Sequence, residues 1–185
     1  IMKKFQILIA FLWLSVCLAG AVESKIQLVH GPYLQNLGPD EVTIVWLSDK
    51  PSVGWVELAP DDDTNFYATE RPKYYDARNG VKNTSTIHTV KLKGLKPGTN
   101  YRYRVFVQEV LSHIGHKIIY GNYASTDVYS KKPLMFKTSD PEDNSVSFAM
   151  VNDIHGKNDV LTNLVSKCDL KKTDFFPVSY THLRA

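Results

Sequence analysis

The sequence predicts a mainly β fold, in which a sandwich over residues 22–140 is followed by the first βα unit of an α/β domain over residues 141–177. Short runs rich in β-branched and aromatic residues, separated by turn residues, recur through the first region. This pattern is typical of sandwiches and barrels. In the second region, one continuous apolar run precedes a segment whose apolar residues repeat at helical spacing.

The strands of the sandwich are predicted from their composition and alternation. In residues 100–107, tyrosine and valine alternate with arginine and phenylalanine, which is the period of a strand with two different faces. No helical pattern of comparable quality interrupts the region. The predicted strands are residues 42–47, 53–58, 86–92, 100–107, 117–123 and 134–138.

A recognisable turn leads into one of these strands. Residues 95–105 read LKPGTNYRYRV, in which Pro97-Gly98 sets the turn. Tyr101 follows at the position of a tyrosine corner, whose hydroxyl bonds back to the backbone. This segment resembles the fibronectin type III signature, and the resemblance implies that Trp46 is the buried core tryptophan of an earlier strand. The fold alone says little about function, because it hosts many roles.

In the α/β region, an apolar run at residues 146–151 leads into Asp153-Ile154-His155-Gly156. We expect this run to be a strand buried on both faces. A carboxylate and an imidazole at the carboxyl end of a strand can turn toward one point, and together they suit divalent transition metals. A solvated loop is the alternative interpretation of so short a motif.

The segment after this motif predicts a helix over residues 157–168. Asn158 is the predicted N-cap, and Asp159 suits the positive end of the helix dipole. The apolar residues fall on one stripe, on which the cysteine is interpreted as a small apolar packing residue. The stripe consists of Val160, Leu161, Leu164, Val165 and Cys168.

The order of strand, Asp-x-His-Gly and helix resembles the first metal motif of the calcineurin-like metallophosphoesterases. The resemblance implies that Asp153 and His155 ligate one metal of a two-metal site, whose divalent or trivalent ions would be Fe, Mn or Zn. It also implies hydrolysis of phosphate esters, in which the two ions hold the phosphate and activate a bridging water or hydroxide. The remaining ligands and the catalytic residues would lie in sequence that this chain does not contain.

A second resemblance concerns the start of the sandwich. Residues 31–36 read GPYLQN, and residues 42–46 read VTIVW. They resemble the opening of the N-terminal sandwich domain of purple acid phosphatases and related exported metallophosphoesterases. Purple acid phosphatases lack a histidine in the first metal motif, whereas His155 is present here. This departure argues against the purple iron site and against acid phosphatase specificity.

The beginning of the chain predicts export. Basic Met2-Lys3-Lys4 precedes an apolar run at residues 5–18 and then Ala19-Gly20-Ala21, which is the pattern of a signal peptide over residues 1–21. The apolar run is short for a membrane span. We therefore expect a periplasmic, cell-surface or secreted protein with no membrane contact after cleavage.

Removal of the signal peptide also lowers the net charge, which bears on whether nucleic acid is a partner. Loss of Lys3 and Lys4 lowers the formal charge from +3 to +1, so nothing in the charge argues for nucleic acid. Only Cys168 remains after cleavage, which excludes an internal disulfide.

The end of the chain looks foreign. Residues 178–185 read VSYTHLRA, which resembles the translation of a transposase adapter used in sequencing libraries, and we exclude them from inference about fold and function. The native sequence would then stop near Phe176, where we expect residues 174–176 to start a second parallel strand. We therefore expect a truncated metallophosphoesterase domain and an inactive fragment.

Two other hypotheses remain open. A fibronectin III-like sandwich could by itself be a cell-surface binding module without catalytic activity. The phosphoesterase domain could also be degenerate and non-catalytic. Other motifs are interpreted as structural: His113-Ile114-Gly115-His116 as a loop between strands, Asp61-Asp62-Asp63 as a solvated turn, and His30 and His88 as strand residues.

Overall fold

The computed structural model describes residues 24–152, 157–174 and 176. The predicted signal peptide and the adapter-like tail lie outside these residues. No helix among the described residues is long and apolar enough to cross a membrane. The strands are β1 (Leu28–Gln35), β2 (Glu41–Pro60), β3 (Lys73–Tyr75), β4 (Ala77–Arg78), β5 (Val81–Lys82), β6 (Thr84–Lys93), β7 (Asn100–Ile114), β8 (Lys117–Ser125) and β9 (Leu134–Lys137).

The long strand β2 joins two layers of antiparallel strands. Its first part pairs with β1 and β6, and its last part pairs with β3 and β7. The register with β6 shifts between Leu47 and Ser52. Beyond β7, the second layer continues to β8 and β9, which both pair with that strand. The predicted mainly β sandwich is therefore confirmed.

The structure corrects the predicted strands in detail. Residues 42–47 and 53–58, predicted as separate strands, are parts of one strand, because the segment between them stays extended through the change of partners. Strand β1 and the short strands β3, β4 and β5 were not predicted. These missed segments lack the run of alternating apolar residues that marks the others.

The core lies between the two layers and is filled from alternate positions of the strands. Trp46 on β2 is fully buried, which confirms its prediction as the core tryptophan. Alternation places one face of each strand in this core because successive side chains point to opposite sides. The buried cluster consists of Ile26, Val42, Ile44, Trp46, Val56, Leu58, Val90, Leu92, Leu95, Tyr103, Val105, Val107 and Phe136.

The predicted tyrosine corner is present. The Tyr101 hydroxyl accepts a hydrogen bond of 2.9 Å from the backbone N–H of Lys96, and the Tyr101 ring stacks on Phe136 with centroids 5.5 Å apart. Gly98 has a φ of 59°, which its lack of a Cβ permits in the turn before β7. The Thr138 hydroxyl donates 2.6 Å to the Lys96 carbonyl. Tyr101 and Thr138 thus satisfy the backbone N–H and the carbonyl of Lys96, and so fix the loop before β7.

The predicted strand at residues 146–151 is not formed. Only Phe148 and Val151 make isolated bridges, and Val146, Phe148 and Met150 are exposed. A parallel strand needs neighbours on its edges and helices on its faces, and the described residues supply no such layer around this run. The expectation of burial on both faces is therefore wrong for this chain.

The predicted helix is present as α1 (Asn158–Ser166), which ends before Cys168, and a 3-10 turn follows at Leu170–Lys172. Lys157 occupies the N-cap position without a side-chain cap, so the prediction of Asn158 as the cap is wrong. Asn158 begins the helix instead. None of the helix residues is buried. Cys168 is exposed, so it does not pack on a helix face as predicted.

We predict that residues 25–139 fold independently while residues 145–176 do not, because among the described residues only those of the first region bury a core of their own. Hydrogen exchange measures this difference directly. Amides of residues 101–105 should be strongly protected, and those of residues 148–151 should exchange much faster. Equal protection in the two segments would show the prediction to be wrong.

We predict that Tyr101→Phe lowers the free energy of unfolding by about 1 kcal/mol. The change leaves the Lys96 N–H without its hydroxyl acceptor, and the cost is moderate because water can reach that N–H. Denaturant melts would measure it. Tyr120→Phe is the control, since its partly exposed ring lies on the β8 hairpin strand. An unchanged midpoint for Tyr101→Phe would remove the stabilising role of the tyrosine corner.

Candidate functional site

The sequence-predicted metal ligands, Asp153 and His155, lie outside the described residues. Within the described ranges, no group of three or more histidine, cysteine or acidic side chains could hold a metal ion. The described residues therefore supply no cluster of further metal ligands that could complete a site with Asp153 and His155. A two-metal site would need further protein ligands.

The described residues do form a concave site on the outward face of β2, β7 and β8. Trp55 and Glu57 alternate along β2 with core residues, as Arg104 and Phe106 do along β7. The loop between β2 and β3 and the loop between β8 and β9 form its sides. We call this site the aromatic cleft, with a volume of about 350 Å³ and the lining Trp55, Glu57, Tyr67, Lys73, Arg104, Phe106, Gln108, Tyr123 and Tyr129.

Arg104 organises the aromatic cleft. Its guanidinium donates from Nε to the Thr126 carbonyl at 2.6 Å and from Nη2 to the Ser125 hydroxyl at 2.7 Å. From Nη1 it donates to the Tyr67 hydroxyl at 2.8 Å. The guanidinium also lies 4.5 Å from the Phe106 ring centroid, within cation–π distance. One planar, multidentate side chain therefore fastens both loops to the sheet.

Glu57 continues this network beneath the rings. The buried carboxylate accepts hydrogen bonds from the Tyr67 hydroxyl and, at 3.4 Å, from Trp55 Nε1. Burial, followed by the hydrogen bond to Glu57, raises the pKa of Tyr67 to about 12, although Arg104 opposes the shift. Tyr67 thus stays protonated near neutral pH. Its hydroxyl accepts a hydrogen bond from Arg104 and donates one to Glu57, so it links the guanidinium to the carboxylate within the wall.

Four of the five rings that line the aromatic cleft stack in pairs. Trp55 and Phe106 stack with centroids 4.7 Å apart and an interplanar angle of 7°. Tyr67 and Tyr129 stack at 6.1 Å. Asp127 fixes the loop that carries Tyr129: its pKa is lowered to about 2 because the carboxylate accepts the Ser130 hydroxyl and the N–H groups of Tyr129 and Ser130. Contacts within the protein therefore hold Trp55, Tyr67, Phe106 and Tyr129 in the cleft.

A second polar cluster lies between the layers, around His88. The fully buried His88 ring places Nε2 2.9 Å from the Ser52 hydroxyl and Nδ1 3.6 Å from the Asp76 carboxylate. It stacks on Trp46 at 5.3 Å. A Cβ at Gly54 would lie 2.6 Å from the ring, so glycine is required there.

Ser52, His88 and Asp76 follow one another as the residues of a serine–histidine–acid triad do, but the serine is not accessible to a substrate. Ser52 and His88 are both fully buried, so no substrate can reach the serine oxygen. The structure confirms the prediction that His88 is structural. The motif His113-Ile114-Gly115-His116, predicted as a loop, is a loop only in part, because His113 and Ile114 end β7 while Gly115 and His116 form the turn to β8. Asp62 pairs with Arg102 at 2.7 Å.

Sequence reasoning missed the aromatic cleft. A signal was present in the alternation itself, because the positions of β2 and β7 that face away from the core carry Trp55, Glu57, Arg104 and Phe106. These are not the residues of an ordinary solvated face. The two loops that complete the site carry no pattern that places them beside these strands.

We predict that His88 makes the stability of the sandwich depend on pH. Burial lowers the pKa of His88 below its ordinary 6.5, and Asp76 opposes this shift. Below pH 6.5 the unfolded chain therefore binds a proton that the native state resists, and stability is lost as the pH falls. The loss is at most about 1.4 kcal/mol per pH unit for this one group.

Denaturant melts between about pH 8 and about pH 5 would measure this slope. His88→Gln should flatten it, while the control His116→Gln, in the exposed turn between β7 and β8, should leave it unchanged. The prediction fails if the slope of His88→Gln equals that of the unchanged chain.

Comparisons with known proteins address the sandwich. The sequence model of the purple acid phosphatase N-terminal domain matches residues 29–130, which is more than half of the 185 residues. No curated protein matches the chain. Among solved structures, a computationally redesigned β-sandwich protein is 18% identical, with a TM-score of 0.36 over 61% of this chain and 95% of that one. The matched region covers β1 to β8, and the chain belongs to the purple acid phosphatase N-terminal domain family.

Proposed function

We propose that this chain is the N-terminal part of an exported metal-dependent phosphoesterase that hydrolyses phosphate esters at a two-metal site. The observation that carries the proposal is the family match over residues 29–130. In this proposal, residues 22–140 are the N-terminal domain and residues 141–177 begin the catalytic domain. Residues 1–21 are the signal peptide, and residues 178–185 do not belong to the enzyme.

The chemistry of residues 141–176 supports the second part of this proposal. Large apolar side chains are exposed both before and on α1, as in a unit whose covering layers are elsewhere. Ser147 and Asp174 are joined by two hydrogen bonds of 2.8 Å, one from the Ser147 N–H to the Asp174 carboxylate and one from the Asp174 N–H to the Ser147 carbonyl. The segments around them lie side by side, as neighbouring strands of a sheet would.

In the proposed enzyme, Asp153 and His155 hold one of two metal ions. The carboxylate supplies a hard anionic oxygen, and the imidazole supplies a borderline nitrogen, a donor pair that fits Fe, Mn or Zn. Bound ions would polarise the phosphoester and activate water. The residues of this chain contribute only ligands and their positioning, so we expect the chain alone to be inactive toward phosphoesters.

The alternative is a cell-surface binding module without catalytic activity. The aromatic cleft is the observation that favours a binding role. Such a cleft could belong to a phosphoesterase or to a binding module without catalytic activity. The sequence that follows Phe176 in the intact gene would decide between them. Gly-Asp and Gly-Asn-His motifs would favour the enzyme, and a second sandwich would favour the module.

We predict that, in the full-length enzyme, Asp153→Asn and His155→Ala each lower metal content and phosphoesterase turnover. The first change removes the charge that attracts the cation, and the second opens a coordination position. A fall in turnover of about a hundredfold or more is expected, which corresponds to several kcal/mol of barrier. Metal analysis and assays with phosphomonoesters and phosphodiesters would measure both effects.

Lys157→Ala is the matched control for these variants, because it changes an exposed neighbour that cannot serve as a cationic metal's ligand while protonated. Its metal content and turnover should stay near those of the unchanged enzyme. Full metal content and normal turnover in both ligand variants would end the assignment of Asp153 and His155 as metal ligands.

A further inference from the structure

We propose that the aromatic cleft binds a neutral sugar ring of a glycan. The proposal does not involve Asp153 or His155 and does not depend on phosphoesterase chemistry. It rests on three properties of the described residues: exposed rings that line one concavity, a Glu57 and an Arg104 already engaged by the wall, and hydrogen-bonding groups around flat apolar surfaces.

The first property is the exposure of two tyrosines that the fold does not need for its core. Tyr123 is 67% exposed and Tyr129 is 79% exposed. Both line one concavity with the Trp55–Phe106 stack. Such a convergent group of partly exposed rings on a folded protein is typical of a binding site. Because Asp127 and Arg104 already hold the two loops, a ligand would need to order little of the protein.

The second property is that Glu57 and Arg104 are already engaged by other residues of the wall, which leaves the exposed Lys73 as the charged group of the lining that a ligand can reach. Glu57 is covered and receives the Tyr67 and Trp55 donors, so it offers no open carboxylate to a cation. The Arg104 guanidinium lies within 6 Å of the Phe106, Tyr67 and Tyr129 ring centroids. It therefore already occupies the position that a cationic ligand would take beside these rings. Its Nε, Nη1 and Nη2 atoms each already donate to the protein, which makes it a poor receptor for an anion.

The third property is the mixture of surfaces left for a ligand. The rings present flat apolar faces, and the exposed Lys73 ammonium and the half-buried Gln108 amide lie at the same cleft. A pyranose has an apolar C–H face and a rim of hydroxyls, so it can stack on a ring while its hydroxyls meet such groups. The volume of about 350 Å³ falls at the small end of ligand sites.

The arrangement favours a ring over an extended peptide. Proline-rich peptides bind along grooves that offer successive pockets. Here the rings converge on one guanidinium rather than following a line, since three of them lie within 6 Å of Arg104. A compact ligand that contacts several rings at once suits this geometry better.

Affinity electrophoresis of the full chain in gels that contain soluble neutral polysaccharides would test the proposal. The gel probes are a β-1,3-glucan, a galactomannan and a xylan. Chitin oligosaccharides, which a gel does not retain, are titrated in solution, where tryptophan fluorescence, to which Trp55 contributes, gives an independent readout. We expect retention by at least one probe. Tyr123→Ala and Tyr129→Ala should each weaken it about threefold to tenfold, the effect of losing one aromatic contact.

Tyr120→Ala is the matched control, because Tyr120 lies on the same strand as Tyr123 but does not line the cleft. It should bind as the unchanged chain does, and circular dichroism would confirm that all variants are folded. Absence of binding to every probe overturns the proposal, as does equal binding by the cleft variants. Binding only to a proline-rich peptide or to inorganic phosphate also overturns it.

Discussion

The change of partners within β2 is the constraint on which the rest of the structure depends. The strand pairs with β1 up to Ser48 and with β6 up to Leu47 and again at Ser52 and Val53. It pairs with β7 from Ser52 and with β3 from Trp55, so one continuous backbone belongs to both layers. Its inward side chains contribute to the core from each layer. Its outward side chains after the change begin the aromatic cleft. A shift of one residue in this strand would exchange the two sets.

The polar cluster at this change of partners explains how the strand stays buried there. Ser48 and Ser52 lie 2.9 Å apart through their hydroxyls, and both contact His88 Nε2. Buried polar groups cost free energy unless they are hydrogen-bonded. Ser48, Ser52 and His88 Nε2 supply one another with partners, and Asp76 lies 3.6 Å from His88 Nδ1. Gly54 leaves the space that the His88 ring occupies. Polar residues inside a sandwich are therefore a condition of its geometry here and do not mark an active site.

Strand β7 shows how one element serves packing and recognition together. Tyr103, Val105 and Val107 fill the core, whereas Arg104 and Phe106 face the opposite side. Because successive side chains of a strand point to opposite sides, the same backbone contributes one face to the core and the other to the aromatic cleft. Arg104 then uses its reach and its planar donors to fix loops that are distant in sequence. The region after the sandwich has no comparable organiser among the described residues, and its apolar side chains stay exposed.

The sequence by itself determined the features that local pattern controls: the alternating strands, the Pro97-Gly98 turn with Tyr101 behind it, and the helix α1. It also placed Trp46 in the interior and His88 on a strand. It could not determine the union of two predicted strands in β2, since extension through residues 48–52 depends on partners from other segments. The strand expected at residues 146–151 did not form, because an apolar run becomes a strand only where neighbours complete its hydrogen bonds. The aromatic cleft likewise required the tertiary structure, since its rings come from segments that local spacing does not bring together.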